Sequence, residues 1–484
     1  MVLNILIYLP LMHERKKMSN PSINKLIEGI LKECTPTSEE EINLHAMANK
    51  VKNKLESCVS ENKLGFMIKE IVFGGSFAKG TWLKNEADID IFIKFKNDVD
   101  YGHFEAYGKL IGMQSLKEYS PYLRYADHPY VEAYVDGVKF NIVPCYDVSF
   151  GDWKSAADRS PFHTSYVISN LNQEKKNQVR VLKKFLKSLK IYGAEISIEG
   201  FSGYVCEVLI LKFGSFLSTI RFFSTYSTDN SVISITKPAD HEPEKHKKIF
   251  DSFLVILDPI DENRNLGSAI SSRSVATLIQ SSRKFLSNPG NNYFREEPVS
   301  HSNNDLKDLL SSFILVIEFK YSDRPSDVIW GQLKKMTRSI CKFVESYGFR
   351  ILKCHCNVHE KEKVCVISLL YESLTIPKLS FKIGPEIFRL HDVEKFIEIN
   401  GGSPLKWLDN NSRTRCLLFR EFTNAKVYLE FVLKNKPDLI GIPRGLKSDF
   451  IRTFKTYTLD QYPSLDEHIK NTVSELLYTD ARVF

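Results

Sequence analysis

The sequence has no apolar run of the roughly 18 residues that a membrane-crossing helix requires, so no membrane partner is expected. It has no disulfide framework either. Its nine cysteines are odd in number and scattered from Cys34 to Cys416 without paired spacings, which predicts reduced thiols and a cytoplasmic setting. There is no internal repeat and no low-complexity tract, which excludes solenoids and compositionally driven disorder. The apolar start, MVLNILIYLPLM, has no basic flank before it and no small-residue cleavage site after it, so it makes a poor signal peptide. Met18 precedes a more polar start, and residues 1–17 read as a disordered extension or a mis-called start. Neither sign of charge dominates: the net charge of +7 and pI of about 8.7 suit a nucleic-acid partner without requiring one.

What is present is enough apolar material, 43% of 484 residues, for roughly three or four domains. The chain is organised around Ile71 to Phe95. There a small-residue turn, Gly74-Gly75-Ser76, follows an apolar run, and a second run carries Asp88 and Asp90 among alternating Ile89, Ile91, Ile93 and Phe95. Alternation predicts a strand. Side chains two apart share a strand face, so two carboxylates stand side by side, an arrangement best tolerated around a hard cation such as Mg²⁺.

Elsewhere the pattern divides as follows. Residues 19–60 read as helical, with Ser38 as a helix cap. Residues 101–128 read as irregular with helical pieces. Pro129 to Cys145 reads as a hairpin turning at Asp136-Gly137. Gln173 to Lys190 predicts a helix with Arg180, Lys183, Lys184 and Lys187 in a basic stripe, which by itself reads as a solvated face. One buried helix is expected from Gly200 to Ser218, a turn-rich stretch at 258–265, and a linker at 287–305. Beyond it, 313–371 reads as a βαββ module and 375–425 as an inserted or appended subdomain. Cys354, His355, Cys356 and His359 suggest a metal site at first sight. On a strand, however, the cysteines take one face and His355 the other, so a small apolar patch is the better reading.

Several motifs converge on one family. Gly75-Ser76 followed by Asp88-x-Asp90 resembles the nucleotidyltransferase superfamily. ADRSPFH (157–163), VLKKFLKSLKIYGAE (181–195), GFSGYVCEVL (200–209) and DPIDENRN (258–265) resemble the archaeal, class I CCA-adding enzymes, over about 18–433. The resemblance implies an α+β multidomain protein. It has a nucleotidyltransferase head with a mixed sheet (18–150), a helical nucleotide-binding neck (151–286), the linker, a C-terminal α/β body and tail that bind tRNA (306–450), and a last segment (451–484). It implies addition of C, C and A to the tRNA 3′ end from CTP and ATP without a template, a grip on the acceptor arm, and Mg²⁺ as cofactor. A homodimer is left open.

By the same resemblance Asp88 and Asp90 hold the metal, and Gly75 and Ser76 receive phosphate. Lys79 stands where the family usually has an arginine. Lys183 and Tyr192 are triphosphate ligands, His163 lies near them, and Arg264 reads the base edge. One position departs: the family's third carboxylate falls on Asn141, whose carbonyl can touch a metal but carries no charge. Counting outward from the two-residue turn sets Glu132 opposite Asn141, where it could supply the missing charge. Asn141 also motivates a catalytically impaired tRNA-binding paralogue as an alternative, beside a terminal or poly(A)-type RNA nucleotidyltransferase.

Overall fold

The structure is a computed structural model and describes residues 21–125, 129–227, 231–235, 248–296, 309–459 and 464–484. The expected extension at 1–17 lies outside them. The chain divides into two compact units, one within 1–297 together with Asp480–Phe484, the other Pro298–Thr479.

The first unit begins with α1 (Pro21–Cys34) and α2 (Ser38–Glu61). Thr37, not Ser38, caps α2: its side chain accepts from the Glu40 N–H, and three glutamates fill the first turn. A five-stranded sheet follows, built from β1 (Ile68–Gly74), β2 (Asp88–Lys96), β3 (Tyr122–Tyr125), β4 (Pro129–Val135) and β5 (Val138–Asp147), in the order β1-β2-β5-β4-β3. The short α3 (Gly75–Lys79) sits between β1 and β2, and the helical pieces expected within 101–128 are chiefly one helix, α4 (Tyr101–Ser115). The sheet is mixed: β2 runs parallel to β5 and the other pairs are antiparallel. Asp136 and Gly137 both take positive φ, +48° and +84°, the backbone of a tight two-residue hairpin turn. That turn fixes the register Val135↔Val138 and Glu132↔Asn141, as counted from the sequence.

The rest of this unit is mainly helical: α5 (Arg159–Asn170), α6 (Gln173–Ser188), α7 (Gly203–Phe213), α8 (Phe216–Ser224) and α9 (Ser272–Ser287), with a small sheet of β6 (Val232–Ile233), β7 (Val255–Asp258) and β8 (Asp261–Asn265). The single helix expected from Gly200 to Ser218 is two helices, bent by 90° at Gly214, where Ser215 starts the second by accepting from the Ser218 N–H. The stretch read as turn-rich is the β7–β8 hairpin. Ile23, Ile27 and Ile30 of α1 join the core of these helices, with Val179, Leu182 and Phe285, rather than the core of the sheet. The expected linker is partly structure: Tyr293 and Phe294 are buried in that same helical core. Its residues from 297 onward lie outside the described ones.

The second unit carries β9 (Ile314–Lys320), α10 (Ser326–Tyr347), β10 (Ile351–His359) and β11 (Val364–Tyr371), the βαββ module read from the sequence. The stretch 375–425 forms a three-stranded sheet of β12 (Leu379–Glu386), β13 (Lys406–Leu408) and β14 (Arg413–Phe419) with α11 (Leu390–Ile399). Then come α12 (Ala425–Asn435), α13 (Arg444–Thr453), β15 (Lys455–Thr458) and α14 (Glu467–Leu477). The stretch set apart at 451–484 does not stand alone. β15 extends the main sheet as β10-β11-β9-β15, and Ile469, Val473 and Leu476 of α14 pack on its face against Ile314, Val316 and Val366. Among the described residues no single helix is long and apolar enough to cross a membrane.

Candidate active site

The centre of the head is where β1, β2 and β5 run side by side. The register places Gly74 opposite Asp90 on one side and Asn141 opposite Asp90 on the other, with Asp88 beside Lys139. Gly75 takes φ +59°, and a Cβ there would lie 1.8 Å from Asp90 Oδ2. No residue with a side chain fits that approach, so this glycine lets the carboxylate come down onto the turn. Ser76 follows it in the first turn of α3.

Asn141 Nδ2 donates to Asp90 Oδ1 at 2.8 Å, and Asn141 Oδ1 is buried with no hydrogen-bond partner. A buried amide oxygen left unpaired is costly, and this one lies beside the Asp90 carboxylate. Burial raises the Asp90 pKa, an effect opposed by the Asn141 amide. Asp88 is half exposed and paired with Lys139 Nζ at 2.6 Å. Two carboxylates and an unsatisfied carbonyl-type oxygen form an all-oxygen donor set, which fits a hard divalent cation. The family's third anionic donor is absent. Glu132 shares the register position opposite Asn141, but its carboxylate accepts from the Tyr122 hydroxyl and lies 3.5 Å from Arg124 Nε.

Beyond Asp90 a cavity of about 580 Å³ opens, lined by Gly75, Lys79, Asp90, Tyr130, His163 and Tyr204 among others. Lys79 is buried and pairs with Glu207 Oε2 at 2.8 Å. Lys183 is also buried, against the reading of its helix stripe as solvated. It donates to Thr81 O at 3.0 Å and lies 4.0 Å from Glu207 Oε1. Thr81 Oγ1 completes the knot by donating to Glu207 Oε1 at 2.6 Å. Burial lowers the Lys183 pKa, and the charge of Glu207 opposes that shift. Arg180 of the same stripe is buried too and donates to the backbone carbonyls of Gly80 and Trp82. Only Lys184 and Lys187 keep the outward role, both near Glu86. Tyr192 meets Lys183 over Gly203, where a Cβ would lie 3.0 Å from the Tyr192 hydroxyl and 3.5 Å from Lys183 Nζ. Burial holds the Tyr192 phenol well above its usual range, so it is a neutral donor.

A second knot forms around Asp258, which is fully buried at the end of β7. It bonds His163 Nε2 at 2.9 Å, the Tyr204 hydroxyl at 3.2 Å and Arg264 at 3.1 Å. Although burial pushes Asp258 upward, His163, the Ile260 N–H and Arg264 hold it below the ordinary carboxylate range. His163 is lowered, chiefly by burial. Arg264 lies partly exposed along a neighbouring cleft of about 610 Å³ that also touches Trp153, Arg159 and Asp261.

The structure therefore brings Gly75, Lys79, Asp90 and His163 to one cavity wall, sets Asp88 and Asn141 beside it, and puts Arg264 on the adjacent cleft. It adds Glu207, Asp258 and Lys139, to which sequence reasoning assigned no role. Glu207 had a signal: it is the one acid within the apolar run GFSGYVCEVL.

A paired-carboxylate strand beside a Gly-Ser turn, facing buried cations, defines a nucleotidyltransferase. Family descriptions match in the same order: "Nucleotidyltransferase domain" over residues 51–168, "tRNA nucleotidyltransferase, second domain" over 177–295 and "CCA-adding enzyme, C-terminal domain" over 311–440. The CCA-adding enzyme of Methanocaldococcus jannaschii is 34% identical over 392 residues, 78% of this chain and 85% of that protein. That of Pyrobaculum islandicum is 32% identical over 84% of this chain and 94% of its own length. That of Sulfurisphaera tokodaii is 33% identical over 83% and 90%. The chain belongs to the CCA-adding enzyme family, as its motifs indicated. Enzymes of the nucleotidyltransferase superfamily use a divalent metal.

Proposed function

We propose that the chain adds C, C and A in turn to the 3′ end of tRNA, taking CTP twice and ATP once and releasing pyrophosphate each time. The observation that carries this reading is the Asp90–Asn141 pair. It leaves an unpartnered amide oxygen beside two strand carboxylates, at the mouth of a cavity lined by Lys79 and His163. Asp88, Asp90 and Asn141 Oδ1 would hold Mg²⁺, which when bound acidifies the primer 3′-hydroxyl and neutralises charge on the leaving pyrophosphate. In each addition the primer oxygen bonds to the α-phosphorus and the α–β bridging bond breaks.

The chain's own residues do the positioning. Glu207 fixes the Lys79 ammonium at the cavity and holds that of Lys183 in the same buried knot, rather than leaving them to swing in solvent. The Tyr192 hydroxyl offers a neutral hydrogen bond beside Lys183. Asp258 orients Arg264, whose remaining donors suit the acceptors of a base edge, and holds His163 against Tyr204 with ring centroids 3.9 Å apart. The second unit would hold the acceptor arm by shape and phosphate contacts.

The test is incorporation of labelled CTP, then ATP, into tRNA lacking its CCA end. Two C residues followed by one A are expected, all dependent on Mg²⁺. Untemplated runs of one nucleotide would instead indicate a terminal or poly(A)-type transferase. Retained tRNA binding without any product would establish a binding protein.

A further inference from the structure

Far along the chain from the catalytic strands, the face of the second unit's main sheet that carries α14 has a cluster with no part in nucleotide transfer. Glu318 of β9, Asp466 and His468 place three ligand atoms within 4.8 Å of one another. Glu318 is 9% exposed and Asp466 is open to solvent. Asp466 occupies the N-cap position of α14, yet its carboxylate makes no capping hydrogen bond. It therefore forgoes the ordinary reason for an aspartate there. His468 Nε2 shares a proton with Glu318 Oε1 at 2.7 Å, while the Tyr457 hydroxyl donates to the other carboxylate oxygen at 2.7 Å. His359 of β10 stands alongside, its ring centroid 5.4 Å from that of His468.

From these observations we propose that Glu318, Asp466 and His468 form a structural site for a borderline divalent transition ion of the Zn²⁺ class, outside the catalytic head. One imidazole nitrogen and two carboxylate oxygens suit such an ion better than Mg²⁺, which takes oxygen ligands and keeps its waters. Ligands at about 2.0–2.2 Å from a tetrahedral ion stand on the order of 3.4 Å apart. To reach that spacing the His468–Glu318 pair, now 2.7 Å apart, opens slightly around the ion, and the exposed Asp466 side chain turns in toward it. The ion takes the place of the proton that His468 and Glu318 now share. Tyr457 then plays the outer-shell part, fixing a ligating carboxylate by hydrogen bond. His359 stands beside His468 with its own Nε2 bonded to the Thr472 hydroxyl at 3.1 Å, so water completes the coordination of the ion. The site ties the start of α14 to β9 and so closes the small core formed by Leu465, Ile469 and Val473 over Ile314 and Val316.

The experiment uses the full chain, stripped with a chelator and desalted, and titrated separately with Zn²⁺, Mn²⁺ and Mg²⁺ while binding and thermal melting are followed. Apart from any ion held by Asp88 and Asp90, the wild type is expected to bind one equivalent of Zn²⁺ that Asp466→Asn and His468→Gln bind at least tenfold more weakly, and to melt at higher temperature when that equivalent is loaded. Substituted Co²⁺ is expected to show ligand-field bands without a thiolate charge-transfer band, which separates this site from the cysteines. Asp466→Asn changes an exposed carboxylate and keeps its shape, so a folded variant is available even if His468→Gln unfolds. Equal Zn²⁺ binding by wild type and Asp466→Asn, no melting shift on loading, or a thiolate band would each overturn the proposal.

Discussion

At the residue scale the catalytic centre turns on what Asn141 supplies. Its Nδ2 donates to one oxygen of Asp90, and its buried Oδ1 has no hydrogen-bond partner, which is what the proposed metal would use. Asn141→Asp adds an anionic donor and removes the amide donor. It is expected to lower the Mg²⁺ concentration for half-maximal activity about tenfold, the scale of changes near metal ligands. Asn141→Ala should raise it, both read by titrating Mg²⁺ in the CTP-incorporation assay. Glu207→Gln tests the lysine knot. Two buried ammonium groups would lose their counter-charge, at a cost of about 3–5 kcal/mol in folding stability. Urea unfolding measures that loss, and a raised KM for both nucleotides should accompany it. That Asp88 and Asp90 share one strand and that Glu132 faces Asn141 was legible in the sequence, because alternation and a two-residue turn fix which residues align; the parallel β2–β5 pairing that sets Asn141 beside Asp90 was not, and only the family resemblance pointed to it. Nor was Glu207 legible as the partner of Lys79 and Lys183. A basic stripe on a helix reads the same whether water or a buried carboxylate lies opposite, and only the approach of α7 to α3 and α6 decides between them. Glu132 shows the converse limit: its register was legible, but the turn of its carboxylate towards Tyr122 and Arg124 depends on a third strand.

At the scale of elements, turns and caps decide more than periodicity does. The run 200–218 reads as one helix, and the bend comes from Gly214 at φ +83° followed by a serine cap. The start of α10 is tied to α13 by Asp449, which is almost fully buried. It accepts from the Ser322 N–H at 3.0 Å, the Ser322 hydroxyl at 2.8 Å and Arg324 at 2.7 Å. Burial acts to raise the Asp449 pKa, but these donors outweigh it and hold the carboxyl below its ordinary value of 3.8. The unfolded chain therefore binds a proton that the folded one refuses. Stability from this contact is fully present above the ordinary carboxyl value and is lost as pH falls through the lower folded value. Denaturant unfolding followed from neutral pH down to about pH 3 should show Asp449→Asn less stable than wild type near neutrality, with the gap closing in acid. A gap independent of pH would contradict the assignment.

For the whole molecule, the chain ends inside its first unit. Arg482 is buried, donates to the Arg295 carbonyl at 2.9 Å and pairs with Asp480 at 2.7 Å. Removing residues 480–484 is expected to cost the first unit about 1–3 kcal/mol, the scale of a buried backbone carbonyl and charge pair left unmade. Thermal melting would show it as a lowered first transition. The boundary between the two units was visible as a change of sequence grammar at the 287–305 linker, but this return of the last residues was not, since five residues carry no periodic signal. The claim on which the rest depends is that Asp88, Asp90 and Asn141 together run metal-dependent nucleotide addition. The most direct measurement is single-turnover addition of AMP from ATP to a tRNA ending in CC, by wild type and by Asp90→Asn, across Mg²⁺ concentrations. The wild type should add one A in a Mg²⁺-dependent step, and Asp90→Asn should be slower by on the order of 10³, the several kcal/mol a metal ligand contributes. Equal rates for the two proteins, or tRNA binding without addition by the wild type at any Mg²⁺ concentration, would contradict it.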